Sequence, residues 1–328
     1  ALPGPPFRLL ATYLDDWGFS KLLCYWARRC GVTSVVLQEG MTIVQADDDR
    51  PRAGTGFLSS ARAVAGRSIR QIPHDLFEAR LPYCYADYFC AYGQAAKDEL
   101  IRLGRSEKTI FVVGNPSFDQ VTRPPVRTPA RKGCRTVMYV QQYIVENDTE
   151  VRFCDELARI CCDENGDRLR IKLHPLSWWT GEDLLRRIPG TERRASLLKV
   201  TKSGDAAEML DQVDLLVTVN STTAYHALVR GIPVITVNYL ARGFGEFDAY
   251  RYGGAIDVRH PSDLGKAIHD ATRDEAVREQ LHEGAERVIE HHLYRLDGRA
   301  SERIAQVLLN LARGESEHHP SSPLQSPN

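Results

Sequence analysis

A run of polar residues, Asn220-Ser221-Thr222-Thr223, follows the apolar stretch VDLLVTV and precedes a helical pattern. Hydroxyl groups and unpaired backbone N–H groups at a helix N-terminus attract anions, although Ser and Thr are also ordinary helix caps. A single capping residue has a purely structural role more often than not. Three hydroxyl residues in a row at the end of a strand favour a phosphate-binding site.

A second polar pair, His174-Pro175, follows the strand-like run LRIKL. Proline ends the strand and fixes the preceding residue at the edge of the sheet. Histidine can donate a hydrogen bond to a phosphate or protonate a leaving group. A lone His-Pro pair is usually a turn, so its significance lies in its predicted place on the same edge as Ser221.

Two segments in the first half of the chain end strands in a similar way. Glu39, in Gln38-Glu39-Gly40 after VTSVVL, is a candidate general base, and the alternative is an exposed loop carboxylate. Gly114 and Asn115 follow TIFVV and are candidate nucleotide contacts, although a structural turn explains most of their segment. The stretches 243–247 and 252–254 are rich in glycine and indicate either a cover over a nucleotide or a plain surface loop.

The elements that position these residues alternate between strand and helix. From residue 135 onward, apolar strand-like runs are separated by segments with helical spacing, which predicts parallel strands joined by crossover helices. Because ligands bind beyond the carboxyl ends of such strands, the polar segments are expected at one edge. The predicted fold is α/β, with two Rossmann-type doubly wound domains and a cleft between them.

The predicted domain boundaries follow composition. Residues 1–118 form an acceptor-side α/β domain, 119–133 a linker with three prolines, and 134–313 a donor-binding domain. Residues 314–328 have little to bury and are predicted to be disordered. The irregular first half and a start without Met lead us to expect that an upstream segment of the first domain is missing.

Composition and motifs exclude several classes of function. The 42 basic and 43 acidic residues balance, so charge does not indicate a nucleic-acid partner. No Walker loop, G-x-G-x-x-G, H-E-x-x-H or G-x-S-x-G sequence is present. The sequence therefore gives no support to ATP hydrolysis, dinucleotide redox chemistry, zinc proteolysis or the usual esterase mechanism. The eight cysteines lack zinc-site spacing and are interpreted as buried thiols of a cytosolic protein.

Four pieces of the sequence, VVLQEGM, FVVGNPSFD, IKLHP and DLLVTVNSTTAYHALVRGIPVITVN, together resemble one group of enzymes. In order and spacing they are similar to bacterial capsule and surface-polysaccharide transferases of the GT-B type. This group includes CDP-glycerol glycerophosphotransferases, sialyltransferases and Kdo transferases. The segment DGRASERIAQVL looks like the C-terminal helix of that group.

The resemblance implies a transferase that moves a sugar or polyol phosphate from a nucleotide-activated donor to a glycan or lipid-linked glycan. His174 and Pro175 would lie at the donor phosphate, with Asn220, Ser221, Thr222 and Thr223 at the helix N-terminus. Glu39 would be the general base, although Gln-Glu-Gly departs from the two consecutive acids of some members. The resemblance implies no metal and no cofactor beyond the donor. The expected location is cytoplasmic, with peripheral contact at the inner membrane face compatible with a lipid-linked acceptor.

Two other functions are compatible with parts of the pattern. The Gly-Asn-Pro and His-Pro segments also resemble non-hydrolysing UDP-N-acetylglucosamine 2-epimerases, which share the fold. Those enzymes usually have Asp-Ser-Gly-Gly and a following Glu at the phosphate helix, and this chain has Asn220-Ser221-Thr222-Thr223 without the carboxylates. The epimerase therefore ranks second. A non-catalytic nucleotide- or glycan-binding module is the third hypothesis, motivated by the irregular first half.

Overall fold

The computed structural model describes residues 7–13, 18–40, 85–121, 133–142, 147–240 and 246–315. These residues form two compact units. The first contains the described residues up to 121 together with residues 291–315, and the second contains those from 133 to 290. Each unit has its own parallel sheet, so the prediction of two Rossmann-like α/β domains is confirmed.

The described strands and helices follow the predicted alternation. The strands are β1 (Leu9–Thr12), β2 (Thr33–Leu37), β3 (Tyr88–Ala91), β4 (Ile110–Val112), β5 (Thr136–Val140), β6 (Arg168–Lys172), β7 (Leu198–Thr201), β8 (Leu215–Thr218), β9 (Val234–Thr236) and β10 (Ile256–Asp257). The helices are α1 (Gly18–Arg29), α2 (Gln94–Arg102), α3 (Asp148–Ala158), α4 (Gly181–Arg187), α5 (Thr223–Val229), α6 (Leu264–Arg273), α7 (Glu275–Leu293) and α8 (Ala300–Arg313).

The first unit is built on a sheet of four described strands in the order β1-β2-β3-β4. All neighbours run parallel, with pairs such as Val36 with Phe89 and Cys90 with Phe111. One face of the sheet packs with Cys24 of α1 and Leu100 of α2, and the other packs with Val307 and Leu311 of α8. Because side chains alternate across each strand, both faces of this short sheet are covered by helices.

Helix α8 corrects the predicted domain boundary. The sequence analysis assigned residues up to 313 to the second domain, but α8 belongs to the first unit. Asp119, placed in the predicted linker, accepts hydrogen bonds from the backbone N–H groups of Ala300 and Ser301, both at 2.8 Å. The apolar face of α8 and this cap on its first turn attach the helix to the sheet from which it is farthest in sequence. Residues 122–132 of the predicted linker and 316–328 of the predicted tail lie outside the described residues.

The Asp119 cap has a measurable contribution to stability. Burial alone would raise the pKa of Asp119, but hydrogen bonds from Ser301 and Ala300 and the charge of Arg303 bring the pKa below its ordinary 3.8. We expect Asp119→Ala to lower the free energy of unfolding of the first unit by about 1–2 kcal/mol at neutral pH, measured by urea denaturation.

The lowered pKa of Asp119 determines how its contribution to the free energy of unfolding depends on pH. A carboxyl group with a lowered folded-state pKa stabilises the fold above 3.8 and loses this effect as pH falls through the lowered pKa. The difference in stability between wild type and Asp119→Ala should therefore shrink in acid. An undiminished difference well below pH 3.8 would show that the cap is not ionic.

The second unit contains a parallel sheet of six described strands in the order β10-β9-β8-β5-β6-β7. The chain starts at the centre with β5, moves outward through β6 and β7, then returns to β8 and moves outward on the other side. This is the Rossmann strand order, and its reversal between β5 and β8 leaves a crevice at their carboxyl ends. Val137, Tyr139, Leu169, Leu215 and Val217 lie in the core, and all five residues of β5 are buried.

Local signals fix the helices of the second unit. The side chain of Asn147 accepts hydrogen bonds from Thr149 and Glu150 at the start of α3, and Thr180 and Asp183 form a capping box at the start of α4. A π-helical turn over Arg159–Glu164 follows the last residue of α3. Strand β10 is two residues long and was not predicted, because so short a run shows no alternation.

Candidate functional site

The carboxyl edge of the second sheet carries a polar residue after each of four adjacent strands. Asn238 follows β9, Asn220 follows β8, Gln141 and Gln142 follow β5, and His174 follows β6. Because the strands are parallel, all of these residues lie at one edge, which spans the topological switch point. The structure therefore brings the predicted residues His174 and Asn220–Thr223 to the same side of one sheet.

Two glutamines that the sequence analysis did not select connect these segments. Gln142 Nε2 donates to Asn220 Oδ1 at 2.7 Å, so one hydrogen bond spans the switch point between β5 and β8. Gln141 Oε1 accepts from the backbone N–H of His174 at 3.2 Å, which links β5 to β6. Gln141 is 1% exposed, and its Nε2 has no hydrogen-bond partner among the described residues. The sequence signal that could have identified these glutamines is their position directly after the buried run RTVMYV.

The ring of His174 is oriented by its own loop. Its Nδ1 accepts a hydrogen bond from the backbone N–H of Leu176 at 3.1 Å, and its carbonyl oxygen accepts from the N–H of Ser177 at 2.9 Å. An Nδ1 that accepts a hydrogen bond places the proton of a neutral imidazole on Nε2. In this arrangement His174 is suited to donate a hydrogen bond to a phosphate oxygen. Pro175 is exposed and shapes the turn.

Two lysines fix the base of this loop. Lys172, the last residue of β6, is buried, and its ammonium group donates to the carbonyls of Leu173 and Lys202, both at 2.9 Å. Lys202 in turn donates to the carbonyl of Ser177 at 2.6 Å. Burial lowers the pKa of Lys172 below its ordinary 10.5. The ends of β6 and β7 and the His174 loop are therefore tied together by ammonium groups.

The Ser-Thr segment hydrogen-bonds largely to itself. The backbone N–H of Ser221 donates to Thr218 Oγ1 at 3.3 Å, Ser221 Oγ accepts from the N–H of Thr223 at 3.3 Å, and it donates to Thr223 Oγ1 at 3.1 Å. Ser221 therefore performs the capping, while Thr222 makes no side-chain cap. Asn220 and Thr223 are buried and Thr222 is exposed. The capping interpretation accounts for these bonds, and Thr222 is the exposed hydroxyl residue of the segment.

A carboxylate cluster lies at the ends of β9 and β10. Asn238 Nδ2 donates to Asp257 Oδ1 at 2.7 Å, and Arg259 forms ion pairs with Asp257 at 2.6 Å and Glu246 at 2.9 Å. Tyr250 also donates to Glu246 at 3.0 Å. Burial raises the pKa of Asp257 despite Arg259 and Asn238. Burial acts in the same direction on Glu246, but the bonds from Arg259 and Tyr250 bring its pKa below the ordinary 4.5.

The described part of the glycine-rich stretches packs closely against helix α7 and does not form an open loop over a nucleotide. A Cβ atom on Gly254 would lie 3.1 Å from the backbone of Gly284 in α7, and one on Gly284 would lie 2.0 Å from Gly253. These glycines therefore permit close packing of backbone against helix. Residues 243–245 of the first stretch lie outside the described residues, whereas Glu246 and Phe247 are buried.

The other predicted residues lie on the first unit. Glu39 is exposed at the carboxyl edge of the first sheet, after β2. Gln38 Oε1 accepts from the N–H of Tyr92 at 2.6 Å, and burial together with the nearby charge of Glu39 raises the pKa of Tyr92 to about 12. Glu39 and Tyr92 are thus neighbours, and Tyr92 was not selected from the sequence.

Gly114 and Asn115 contribute to packing within the first unit. Gly114 has a φ of +86°, and a Cβ atom there would lie 2.9 Å from Arg303 Nη2 and 3.1 Å from Ala300 Cβ. Asn115 Oδ1 accepts from the N–H of Ser117 at 2.9 Å and caps the turn Pro116–Phe118. Gly114 therefore permits the close approach of α8, and Asn115 stabilises the turn that follows β4.

The described residues were also searched for cavities, metal-ligand clusters and membrane-spanning helices. A cavity of about 10 Å³ between Gly231, Ile232, Pro233, Arg278, Leu281, His282 and Ala285 has room for roughly one water molecule and lies where β9 begins. No group of three or more His, Cys, Asp or Glu side chains in the described ranges could hold a metal ion. Among the same residues, no helix combines the length and apolar character needed to cross a bilayer.

The described thiols carry no disulfide. Cys24, Cys90, Cys154, Cys161 and Cys162 are buried, whereas Cys30 and Cys134 are exposed. Desolvation raises the pKa of Cys90 to about 12. The predicted burial is therefore confirmed for five thiols, and Cys84 lies outside the described residues.

Comparison with solved structures shows the fold. The S. aureus protein MnaA in a co-structure with UDP superposes with a TM-score of 0.62 and 14% identity, over 96% of this chain and 76% of that chain. UDP-GlcNAc 2-epimerase from Neisseria meningitidis, bound to UDP-GlcNAc, gives 0.58 and 10%, over 92% and 76%. The wall teichoic acid polymerase TagF, in a variant with CDPG, gives 0.52 and 15%, over 88% and 69%. No protein-family model matches the chain, and no curated protein matches its sequence.

Proposed function

We propose that this protein is a GT-B-type transferase that moves a sugar or a polyol phosphate from a nucleotide-activated donor to a surface or capsular glycan. The observation that carries the proposal is the polar edge at the switch point of the second sheet. There Gln142 bridges to Asn220, and Gln141 holds the loop of His174. Nucleotides bind at this position in Rossmann-type sheets. The folds shared with MnaA, TagF and the Neisseria epimerase support the same class of ligand.

The second unit would hold the phosphates of the donor. His174, with its proton on Nε2, donates to a phosphate oxygen, and the hydroxyls of Thr222 and Thr223 donate from the end of β8, which β5 separates from β6. The His174 loop is held in place before the donor binds, because it bonds to Gln141 and Lys202 as well as within itself. Donors preorganised in this way stabilise a departing phosphate by about 3 kcal/mol each. No metal ion enters the proposal.

The first unit would supply the base. Glu39 is an exposed carboxylate at the carboxyl edge of its sheet, beside the backbone turn that leads to Tyr92. The acceptor hydroxyl attacks the anomeric carbon or the phosphorus atom of the donor, and its proton passes to Glu39. The bond between that atom and the nucleotide phosphate breaks, and the nucleotide leaves with the electron pair. The roles of Glu39 and His174 are proposed from each sheet separately.

Dependence on an acceptor tests this function. Purified protein is incubated with CDP-glycerol and, separately, with UDP-N-acetylglucosamine, with and without a lipid-linked glycan acceptor. A transferase releases free nucleotide from one donor only when the acceptor is present, and Glu39→Gln lowers that release without changing donor binding. Donor turnover that is independent of acceptor would contradict the proposal.

The second candidate is a UDP-N-acetylglucosamine 2-epimerase, which one observation favours. Epimerisation needs an acid and a base around the sugar, and the sequence motif lacked carboxylates at the phosphate helix. The structure supplies Glu246 and Asp257 at the ends of β9 and β10, with pKa values shifted in opposite directions. Environments that separate the pKa values of two carboxyl groups are typical of acid-base pairs.

NMR separates the two functions. The epimerase would convert UDP-N-acetylglucosamine to its 2-epimer with no acceptor, and Asp257→Asn would abolish the conversion. The absence of a new anomeric signal after prolonged incubation would remove this candidate.

A further inference from the structure

Helix α1 of the first unit carries apolar side chains on two opposite sides. On the inner side, Cys24 packs in the core of the unit and, like Ala27, is fully buried. On the outer side, Phe19 is 72% exposed, Trp26 is 44% exposed and Leu22 is 39% exposed. A surface helix normally presents polar residues to water. The core of the first unit therefore accounts for the inner side of α1 and leaves the outer side unexplained.

The exposed apolar residues of α1 form a continuous stripe. Phe19, Leu22 and Trp26 follow one another at spacings of three and four residues, which places them on one side of a helix. The ring of Phe7, also exposed, lies 6.1 Å from that of Trp26 and extends the stripe. Apolar residues scattered singly over a surface are ordinary, whereas an adjacent group marks an interaction surface. These four residues are called the α1 stripe below.

The charge of α1 is positive. The helix GFSKLLCYWARR contains Lys21, Arg28 and Arg29 and no acidic residue. Arg28 pairs with Asp87 at 3.4 Å, which leaves more positive than negative charge on this side of the unit. Arg29 follows Trp26 by three residues, on the side of the stripe, and donates to the hydroxyl of Tyr25 at 2.8 Å. Two copies of α1 packed face to face would bring like charges together, so the charge favours an anionic partner over a symmetric dimer.

We propose that the α1 stripe binds the surface of an anionic phospholipid bilayer, an inference that goes beyond the proposed function and does not depend on it. Phe and Leu side chains bury apolar area among the acyl chains, and the amphipathic indole of Trp26 suits the boundary with the headgroups. Lys and Arg side chains extend their charged ends to anionic headgroups while their stems cover apolar surface. Apolar insertion and charge attraction together supply the two contributions that stable peripheral binding needs.

Cosedimentation of the full chain with lipid vesicles tests this inference. Vesicles of phosphatidylcholine with phosphatidylglycerol should bind wild type about 10-fold or more tightly than phosphatidylcholine alone, and about 1 M NaCl, where the Debye length is about 3 Å, should weaken that binding. Phe19→Ser should weaken it by on the order of 10-fold and Arg29→Gln by about 5-fold. The controls are Leu309→Ser, an exposed position on α8 at the other face of the first sheet, and Lys199→Gln on β7 of the second unit. Neither control should change vesicle binding.

Tryptophan emission locates the contact. Anionic vesicles should shift the emission of wild type to shorter wavelength, and Trp26→Phe should still bind them with most of this shift lost. Circular dichroism and urea denaturation check that each variant is folded. Absence of binding to anionic vesicles, equal binding to neutral ones, or binding that Phe19→Ser leaves unchanged would overturn the inference. Self-association of wild type that Phe19→Ser abolishes would overturn it as well, because a second copy would then cover the stripe. Nucleotide titration of the same preparation tests the proposed function separately.

Discussion

His174→Ala should lower turnover by on the order of 100-fold or more and leave the fold unchanged. The imidazole is half-buried at the surface of the edge, and the hydrogen bonds that shape its loop come mainly from backbone atoms of His174, Leu176 and Ser177. Removal of the ring therefore removes the Nε2 donor without collapsing the loop. Steady-state kinetics measures the loss, and circular dichroism with urea denaturation checks the fold.

A matched histidine controls for this variant. His269 on α6 is 62% exposed in its side chain and lies in the same unit, so His269→Ala should retain normal turnover. His174→Gln keeps a side-chain N–H donor and should recover part of the activity lost in the alanine variant. Turnover near that of wild type in His174→Ala would remove His174 from the proposed chemistry.

Lys172→Met should destabilise the second unit by about 2–3 kcal/mol and weaken nucleotide binding as well. Methionine keeps the length of the stem but leaves the carbonyls of Leu173 and Lys202 without their shared donor. Buried carbonyls that lose a charged donor carry the full cost of desolvation. The His174 loop then loses the connection between the ends of β6 and β7. Urea denaturation and nucleotide affinity are measured on the same preparation.

The variant Lys199→Met and the pH dependence of stability both test the role of Lys172. Lys199, on the neighbouring strand β7, is exposed, so Lys199→Met should change neither stability nor affinity. Because burial lowers the pKa of Lys172 below 10.5, the unfolded chain holds this proton more tightly than the folded chain. Wild-type stability should therefore gain a contribution as pH rises from the lowered pKa to 10.5, and Lys172→Met should lack it. An equal pH profile in both proteins would show that Lys172 is not the titrating group.

The alternation of strands and helices could be predicted because it depends on local patterns. Runs such as RTVMYV, LRIKL and VDLLVTV are rich in apolar residues, as expected of strands covered on both faces, and they contain β5, β6 and β8 of the second sheet. The same reasoning placed His174 and Asn220 at one edge, because every carboxyl end of a parallel sheet lies on the same side.

Other parts of the structure depend on contacts that sequence spacing does not encode. Helix α8 packs on the first sheet through Val307 and Leu311 and is capped by Asp119 across 181 residues of sequence, a relation that no local pattern reports. Gln141 and Gln142 lie at the switch point because β5 is between β6 and β8, and this strand order cannot be derived from sequence spacing. The carboxylates Glu246 and Asp257 meet through Arg259, although β10 is too short to show a period.

Nucleotide binding at the switch point is the central claim, and calorimetry tests it most directly. CMP, CDP, UDP and GDP are titrated into wild type and into His174→Ala. We predict that one nucleotide binds selectively to wild type and that His174→Ala weakens its affinity by about 10-fold or more, which corresponds to the loss of roughly one charge-assisted hydrogen bond. The absence of binding by all four nucleotides, or an affinity that His174→Ala leaves unchanged, would contradict the account.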